Sequence, residues 1–106
     1  MHNLITIDIV IPVLNEEVAL PICVEKLVTF CDRYMSAFQW KIIIADNGSQ
    51  DKTAAISEEL SSRYKNVDVT TLKMAGRGRA LKKTWINSNA QLVAYMDVDL
   101  STDINV

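Results

Sequence analysis

The chain has 106 residues, close to the size of one domain, so it has room for one core and none for a separate partner module. Apolar residues make up 49% and charged residues 23%, with three Gly and two Pro, a balance that excludes a disordered chain. Thirteen acidic against eleven basic residues leave a net charge of -2, without the positive field that duplex nucleic acid demands.

His2 falls in a terminus expected to fray, and no role is assigned to it. Residues 5–14 form an apolar, β-branched run closed by Pro12 and Asn15, which predicts a buried strand. Leu20, Val24, Leu27, Cys31, Met35 and Phe38 then recur at spacings of three and four, one face of a helix of about four to five turns. Pro21 suits its first turn. Glu16 and Glu17, just ahead of that helix, match a helix dipole better than an acid and base pair. Residues 40–45 predict a second buried strand, stopped by Asp46-Asn47-Gly48-Ser49. Ser49 or Asp51 can cap a second helix running to about Tyr64, with Ala55, Ile56, Leu60 and Tyr64 as its inner stripe. A third strand over 67–72, a loop over 73–77, a helix over 78–88 and a fourth strand over 92–96 complete the chain.

The order β-α-β-α-β-α-β, with strands apolar on both faces, predicts an α/β fold, a Rossmann-like three-layer sandwich around a mostly parallel sheet. Ligands of such sheets bind beyond the carboxyl ends of the strands. The clusters Asn15-Glu16-Glu17, Asp46-Asn47-Gly48-Ser49 and Asp97-Val98-Asp99 all fall at predicted carboxyl ends, so three acidic loops are expected to share one edge.

Residues two apart on an extended chain point the same way, so the carboxyl groups of Asp97 and Asp99 can face one cation. A hard ion, Mg2+ or Mn2+, suits a site offering one or two carboxylates and leaving positions for water and phosphate. Taken by itself, a D-x-D triplet also occurs as an ordinary acidic turn. Gly76-Arg77-Gly78 opens the third predicted helix, where free N–H groups and the charges of Arg77 and Arg79 favour phosphate; a turn that merely needs glycine fits it equally. Lys82 and Lys83 fit a solvated face, and Trp40 and Trp85 fit the core or helix packing better than sugar-stacking platforms.

Cys23 and Cys31, eight residues apart within the first helix, have neither C-x-x-C spacing nor His partners, and read as buried free thiols. With no basic segment and apolar core of a leader at the N-terminus, they predict a reducing, cytoplasmic setting. No apolar run approaches the roughly 20 residues of a membrane span.

Four segments in order, Ile11-Pro12-Val13-Leu14-Asn15-Glu16-Glu17, Ile44-Ala45-Asp46-Asn47-Gly48-Ser49-Gln50-Asp51-Lys52-Thr53, Ala75-Gly76-Arg77-Gly78-Arg79-Ala80-Leu81 and Tyr95-Met96-Asp97-Val98-Asp99-Leu100-Ser101-Thr102, resemble the successive motifs of glycosyltransferase family 2. The resemblance covers about 7–102 and is closest to the polyprenyl-phosphate and dolichyl-phosphate sugar synthases. It implies the nucleotide-sugar-binding half of a GT-A domain. Pro12, Leu14 and Glu16 would then surround base and ribose, and Ala45, Asp46 and Asn47 would complete the base pocket. Gly78 would serve the phosphates. Met96, Asp97 and Val98 would line the ribose and diphosphate side, and Asp97 and Asp99 would be the catalytic metal ligands. Asn47 stands where many members carry a second Asp, which leaves an amide acceptor without charge.

The implied activity is inverting transfer of a hexose from a UDP- or GDP-sugar to an acceptor, with a polyprenyl or dolichyl phosphate favoured. No carboxylate base for an acceptor hydroxyl is evident, and a lipid phosphate needs none, because it is already an oxyanion with a second pKa of about 6. The enzyme would then work at the cytoplasmic face of a membrane, reached through parts not present in these residues. Related enzymes continue past the D-x-D motif with acceptor-binding elements, so residues 1–106 are expected to be a part truncated after that motif, binding nucleoside diphosphate weakly and turning over no sugar. The rival reading is a non-catalytic nucleotide-binding or interaction module on the same scaffold. A haloacid dehalogenase-type phosphatase would place its D-x-D-x-[TV] on the first strand, and here Ser101 stands at the last position. A Rossmann dehydrogenase would need G-x-G-x-x-G after the first strand.

Overall fold

The computed structural model describes residues 4–71 and 89–98. Its elements are β1 (Ile5–Val13), α1 (Ala19–Tyr34), β2 (Phe38–Asp46), α2 (Thr53–Arg63), β3 (Val67–Thr71) and β4 (Leu92–Tyr95). The four strands form one sheet in the order β3-β2-β1-β4, and every neighbouring pair is parallel. This is the α/β arrangement expected from the alternation of strands and helices. The strand order reverses at β1, which neighbours β2 on one side and β4 on the other.

The sheet is sorted by alternation. Ile9, Ile11 and Val13 of β1 and Ile42 and Ile44 of β2 join Leu20, Cys23, Val24, Leu27, Val28 and Cys31 of α1, and Leu60 of α2, in the main core. Val10, Ile43 and Ala45 form a smaller cluster on the opposite face, with Val93 against it. Both described helices therefore cover the same face, and the described residues carry two of the three expected layers. The third expected helix, residues 78–88, lies outside them, as do His2, the Gly76-Arg77-Gly78 loop, Arg79, Lys82, Lys83 and Trp85.

Three sequence expectations are corrected. Met35 and Phe38 fit the spacing of the first helix but do not belong to it. The Met35 N–H closes the last turn on the Cys31 carbonyl, and the Phe38 N–H bonds back to the Met35 carbonyl, turning the chain into β2. Ala55, expected on the inner stripe of α2, is exposed, and the buried residues there are Thr53, Ser57 and Leu60. Ser57 can face inward because its hydroxyl donates to the Thr53 carbonyl at 2.8 Å, which removes the cost of burying it unpaired. The N-cap position of α2 is Lys52, which makes no side-chain cap bond, and not Ser49 or Asp51; Asp51, one residue ahead of it, accepts the Thr53 N–H on Oδ1 at 2.8 Å.

Trp40 packs against the main core, as expected. Cys23 and Cys31 are buried free thiols. Burial, and secondarily the negative charge of Asp32, pushes the Cys31 thiol up to about 11, so it is held protonated near neutral pH. Among the described residues no helix is long and apolar enough to cross a membrane.

Candidate functional site

The register of the sheet assembles the carboxyl edge. Pro12 lies beside Ala45 and Val13 beside Asp46. The Asn47 N–H continues the ladder to the Val13 carbonyl at 2.9 Å. On the other side of β1, Val10 pairs with Tyr95, and the Met96 N–H donates to the Val10 carbonyl at 2.9 Å. That register, carried on two residues, sets Asp97 level with Pro12. Val98 is 3% exposed and packs into the same core as Val13 and Leu20, so the chain leaving β4 passes over the end of β1. The loops after β1, β2 and β4 thus share one edge, at the point where the strand order reverses.

Of the site residues expected from sequence, Pro12, Leu14, Glu16, Ala45, Asp46, Asn47, Met96, Asp97 and Val98 lie at this edge. Gly78 and Asp99 fall outside the described residues. Val98 buries its side chain in the core, so its backbone is what it presents at the rim. Leu14 is 44% exposed. Among the described residues no group of three His, Cys, Asp or Glu side chains is clustered to hold a metal ion.

Two polar residues at this edge are buried far more deeply than a surface turn requires. Asp46 is 1% exposed and Asn47 2%. Asp46 Oδ1 accepts the Ser49 N–H at 3.0 Å, while Asp46 Oδ2 and Asn47 Oδ1 have no hydrogen-bond partner among the described residues. Buried acceptors are almost always paired, and leaving one unpaired costs about 1–3 kcal/mol. Two such acceptors on adjacent residues, at the ligand-binding edge of a parallel sheet, mark a place where incoming N–H or O–H donors gain most.

The loop between β1 and α1 is tied to the start of α2. Asn15 adopts a left-handed backbone (φ 54°), a conformation Asn tolerates better than most residues. Its N–H donates to Ser49 Oγ (2.9 Å), the Glu16 N–H to Thr53 Oγ1 (2.8 Å) and the Glu17 N–H to Asp51 Oδ2 (3.4 Å). In return Asn15 Oδ1 accepts the N–H groups of Gln50 (2.8 Å) and Asp51 (3.3 Å). Thr53 also donates its hydroxyl to Asp51 Oδ1. That bond first, with the N–H groups of Thr53 and Glu17 adding to it, holds the Asp51 carboxyl below its ordinary value; partial desolvation opposes this. Successive free N–H groups after the first strand of such a fold are a ready anion site. Here Asn15, Glu16 and Glu17 have theirs taken by side chains, so this loop is closed to phosphate and presents side chains instead.

Sequence reasoning placed Asn15 and Ser49 in the loops expected at the shared edge and gave Ser49 or Asp51 a capping role, but assigned no bond between the loops to Asn15 or Thr53. The available signal was the run of short hydrogen-bonding side chains Ser49, Asp51 and Thr53 at a spacing of two. A groove of about 640 Å3 lies elsewhere, lined in part by Thr6, Asp8, Lys41, Ile43, Asp68 and Thr70. Its Lys41 and Asp68 are paired at 3.2 Å, and its lining runs along the sheet from Thr6 of β1 to Thr70 of β3, which pairs with Ala45.

Comparison with known proteins follows the same edge. A dolichyl-phosphate beta-glucosyltransferase of Trichomonas vaginalis is 30% identical over 103 residues, covering 93% of this chain and 32% of its own length. The human dolichyl-phosphate beta-glucosyltransferase is 26% identical, covering 91% and 32%. An undecaprenyl-phosphate 4-deoxy-4-formamido-L-arabinose transferase of Photorhabdus laumondii is 28% identical, covering 89% and 29%. The chain therefore spans about a third of the length of the curated relatives it matches. In fold it is similar to residues 1–349 of TarS from S. aureus (TM-score 0.73, 19% identity, 90% of this chain and 28% of that one). It is also similar to a mannosyltransferase of Pyrobaculum calidifontis, solved with GDP-Man and Mn2+ (TM-score 0.66, 19% identity, 88% and 27%). The glycosyl transferase family 2 model matches residues 8–105, a span that takes in all three loops of the carboxyl edge, and by that match the chain belongs to glycosyltransferase family 2.

Proposed function

We propose that residues 1–106 are the nucleotide-sugar-binding part of a family 2 domain that transfers a hexose, with inversion, from a UDP- or GDP-sugar to a polyprenyl or dolichyl phosphate at the cytoplasmic face of a membrane. The observation that carries the reading is the pair of buried acceptors without a partner among the described residues, Asp46 Oδ2 and Asn47 Oδ1, on the edge shared with Pro12, Leu14, Glu16 and Asp97. A nucleobase brings N–H donors and an apolar ring face, which is what two acceptors beside Pro12 and Leu14 lack. The names of the relatives, which act on dolichyl or undecaprenyl phosphates, support the lipid-phosphate acceptor.

Asp97 has the chemistry of a hard-cation ligand, a half-buried carboxyl at a strand end. Asp97 and Asp99 would hold Mg2+ or Mn2+, whose charge, when bound, opposes the charge building on the departing nucleoside diphosphate. The protein's own part is to fix base and ribose at the β1 and β2 loops, so that the sugar's anomeric carbon meets an acceptor oxyanion in line. Because the acceptor phosphate is already ionised near pH 7, none of these residues is required as a base.

Calorimetric titration of the 106-residue chain with UDP, GDP and their sugars, with and without Mn2+, tests this. Saturable binding of one nucleotide, strengthened by Mn2+, is the expected result. Silence from every ligand would reject the reading in favour of a non-catalytic module.

A further inference from the structure

The N-terminus of α1 has no side-chain cap of its own. Its N-cap position is Val18, and none of the residues in its first turn is acidic. The loop ahead of it is instead held from outside, across 34 to 37 residues of sequence, by Ser49, Asp51 and Thr53. At the start of α2 one of these side chains serves the helix itself: Asp51, one residue ahead of the N-cap position Lys52, accepts the Thr53 N–H. The remaining bonds do nothing for α2. They set the height and direction of residues 14–17 relative to Asp46 and Asn47. Asn15 closes the arrangement from the other side by accepting from Gln50 and Asp51. The loop so held carries Leu14 and Glu16, while the clasping residues follow directly on the buried acceptors of Asp46 and Asn47.

We infer that Asn15 and Thr53 are positioning residues for the nucleotide: they lock the β1 loop to the start of α2, so that Pro12, Leu14 and Glu16 keep a fixed distance from Asp46 and Asn47. The inference rests on the nucleotide-site reading of that edge and adds the residues that set its width. Thr53 acts through the Glu16 N–H and Asn15 through the N–H groups of Gln50 and Asp51; neither is required to touch the ligand.

The substitutions separate positioning from folding. Thr53→Val keeps the β-branched shape and removes the acceptor, and Thr53→Ser restores it. Asn15→Gly keeps the left-handed backbone accessible and removes the side-chain oxygen, and Asn15→Asp restores an acceptor. Measured on the 106-residue chain with UDP and GDP in Mn2+, T53V and N15G should each weaken the bound nucleotide roughly tenfold, with T53S and N15D returning to within about threefold of the parent. In the same samples, amide exchange at Glu16 should quicken in T53V while Ile42 to Ala45 stay protected. Undiminished affinity in both T53V and N15G overturns the inference, as does loss of affinity that the conservative partners fail to restore. If T53V does not fold, the Asn15 pair decides. If the parent chain binds neither nucleotide, it is the nucleotide reading that fails; Glu16 exchange then judges the clasp alone, and unchanged protection in T53V overturns it.

Discussion

At the amino ends of β1 and β2 burial is partial, and polar cross-strand pairs, Thr6 beside Gln39 and Asp8 beside Lys41, alternate with the apolar pairs of Ile5 with Phe38 and Ile7 with Trp40. At the carboxyl ends of the same strands, residues 9–13 and 42–46 are buried without a break, on both faces of the sheet. The two ends also treat polarity differently. At the amino end, charge is paired in the open, as in Lys41 with Asp68, whose side chains are about half exposed. At the carboxyl end, Asp46 and Asn47 are buried with acceptors that have no partner among the described residues, and the loops around them are bonded to each other. One end of the sheet is built to be solvated and the other to be rigid and incomplete. Incompleteness inside a rigid frame is what a binding edge requires, since the frame supplies the stability that the unpaired groups cost.

The largest effect should come from breaking the rigid end. Ile44→Ala removes a fully buried side chain between α1, α2 and the sheet and should cost about 2–5 kcal/mol in chemical denaturation. Gln39→Ala, at the solvated end, should stay within about 0.5 kcal/mol. Next, Asp46→Asn keeps the shape and one acceptor. Its stability change should be under about 1 kcal/mol, because the atom it alters has no partner among the described residues to lose, while nucleotide affinity falls roughly tenfold. A stability loss without a binding loss would make Asp46 a structural residue and erase the contrast between the ends.

Smaller is the acid response of the clasp. The folded pKa of Asp51 lies below its unfolded value, so below neutrality the unfolded chain takes up that proton first. The stability it contributes is whole above about 3.9 and is lost as pH falls toward and past the folded value. Asp51→Asn should flatten the stability curve in that range and leave its slope near pH 7 unchanged. Smallest is Lys41→Ala, which breaks an exposed pair and should change stability by about 0.5 kcal/mol or less.

How far the sequence revealed these features depended on which force set each one. Strands β1 and β2 were legible because apolar, β-branched runs declare burial on both faces. The register of α1 was legible from Leu20 to Cys31, and failed at Met35 and Phe38 because an apolar residue at the right spacing looks the same in a helix and in the strand that follows it. Ala55 failed for another reason. The buried residues of α2 include Thr53 and Ser57, whose hydroxyl groups are satisfied by hydrogen bonds, Ser57 to the Thr53 carbonyl and Thr53 from the Glu16 N–H, and hydrophobic periodicity is blind to that. The convergence of the Asn15, Asp46 and Asp97 loops followed from parallel topology alone. The clasp did not, because bonds between residues more than thirty positions apart leave no local signature beyond short polar side chains in a loop.

The most direct test maps the ligand onto the two ends. In 15N-labelled chain titrated with UDP or GDP and Mg2+, the amides that shift should be those of residues 13–17, 45–53 and 96–98, with Thr6, Lys41 and Asp68 unmoved. Shifts centred on that second group, in the groove at the solvated end, would contradict the account, as would a spectrum that no nucleotide alters.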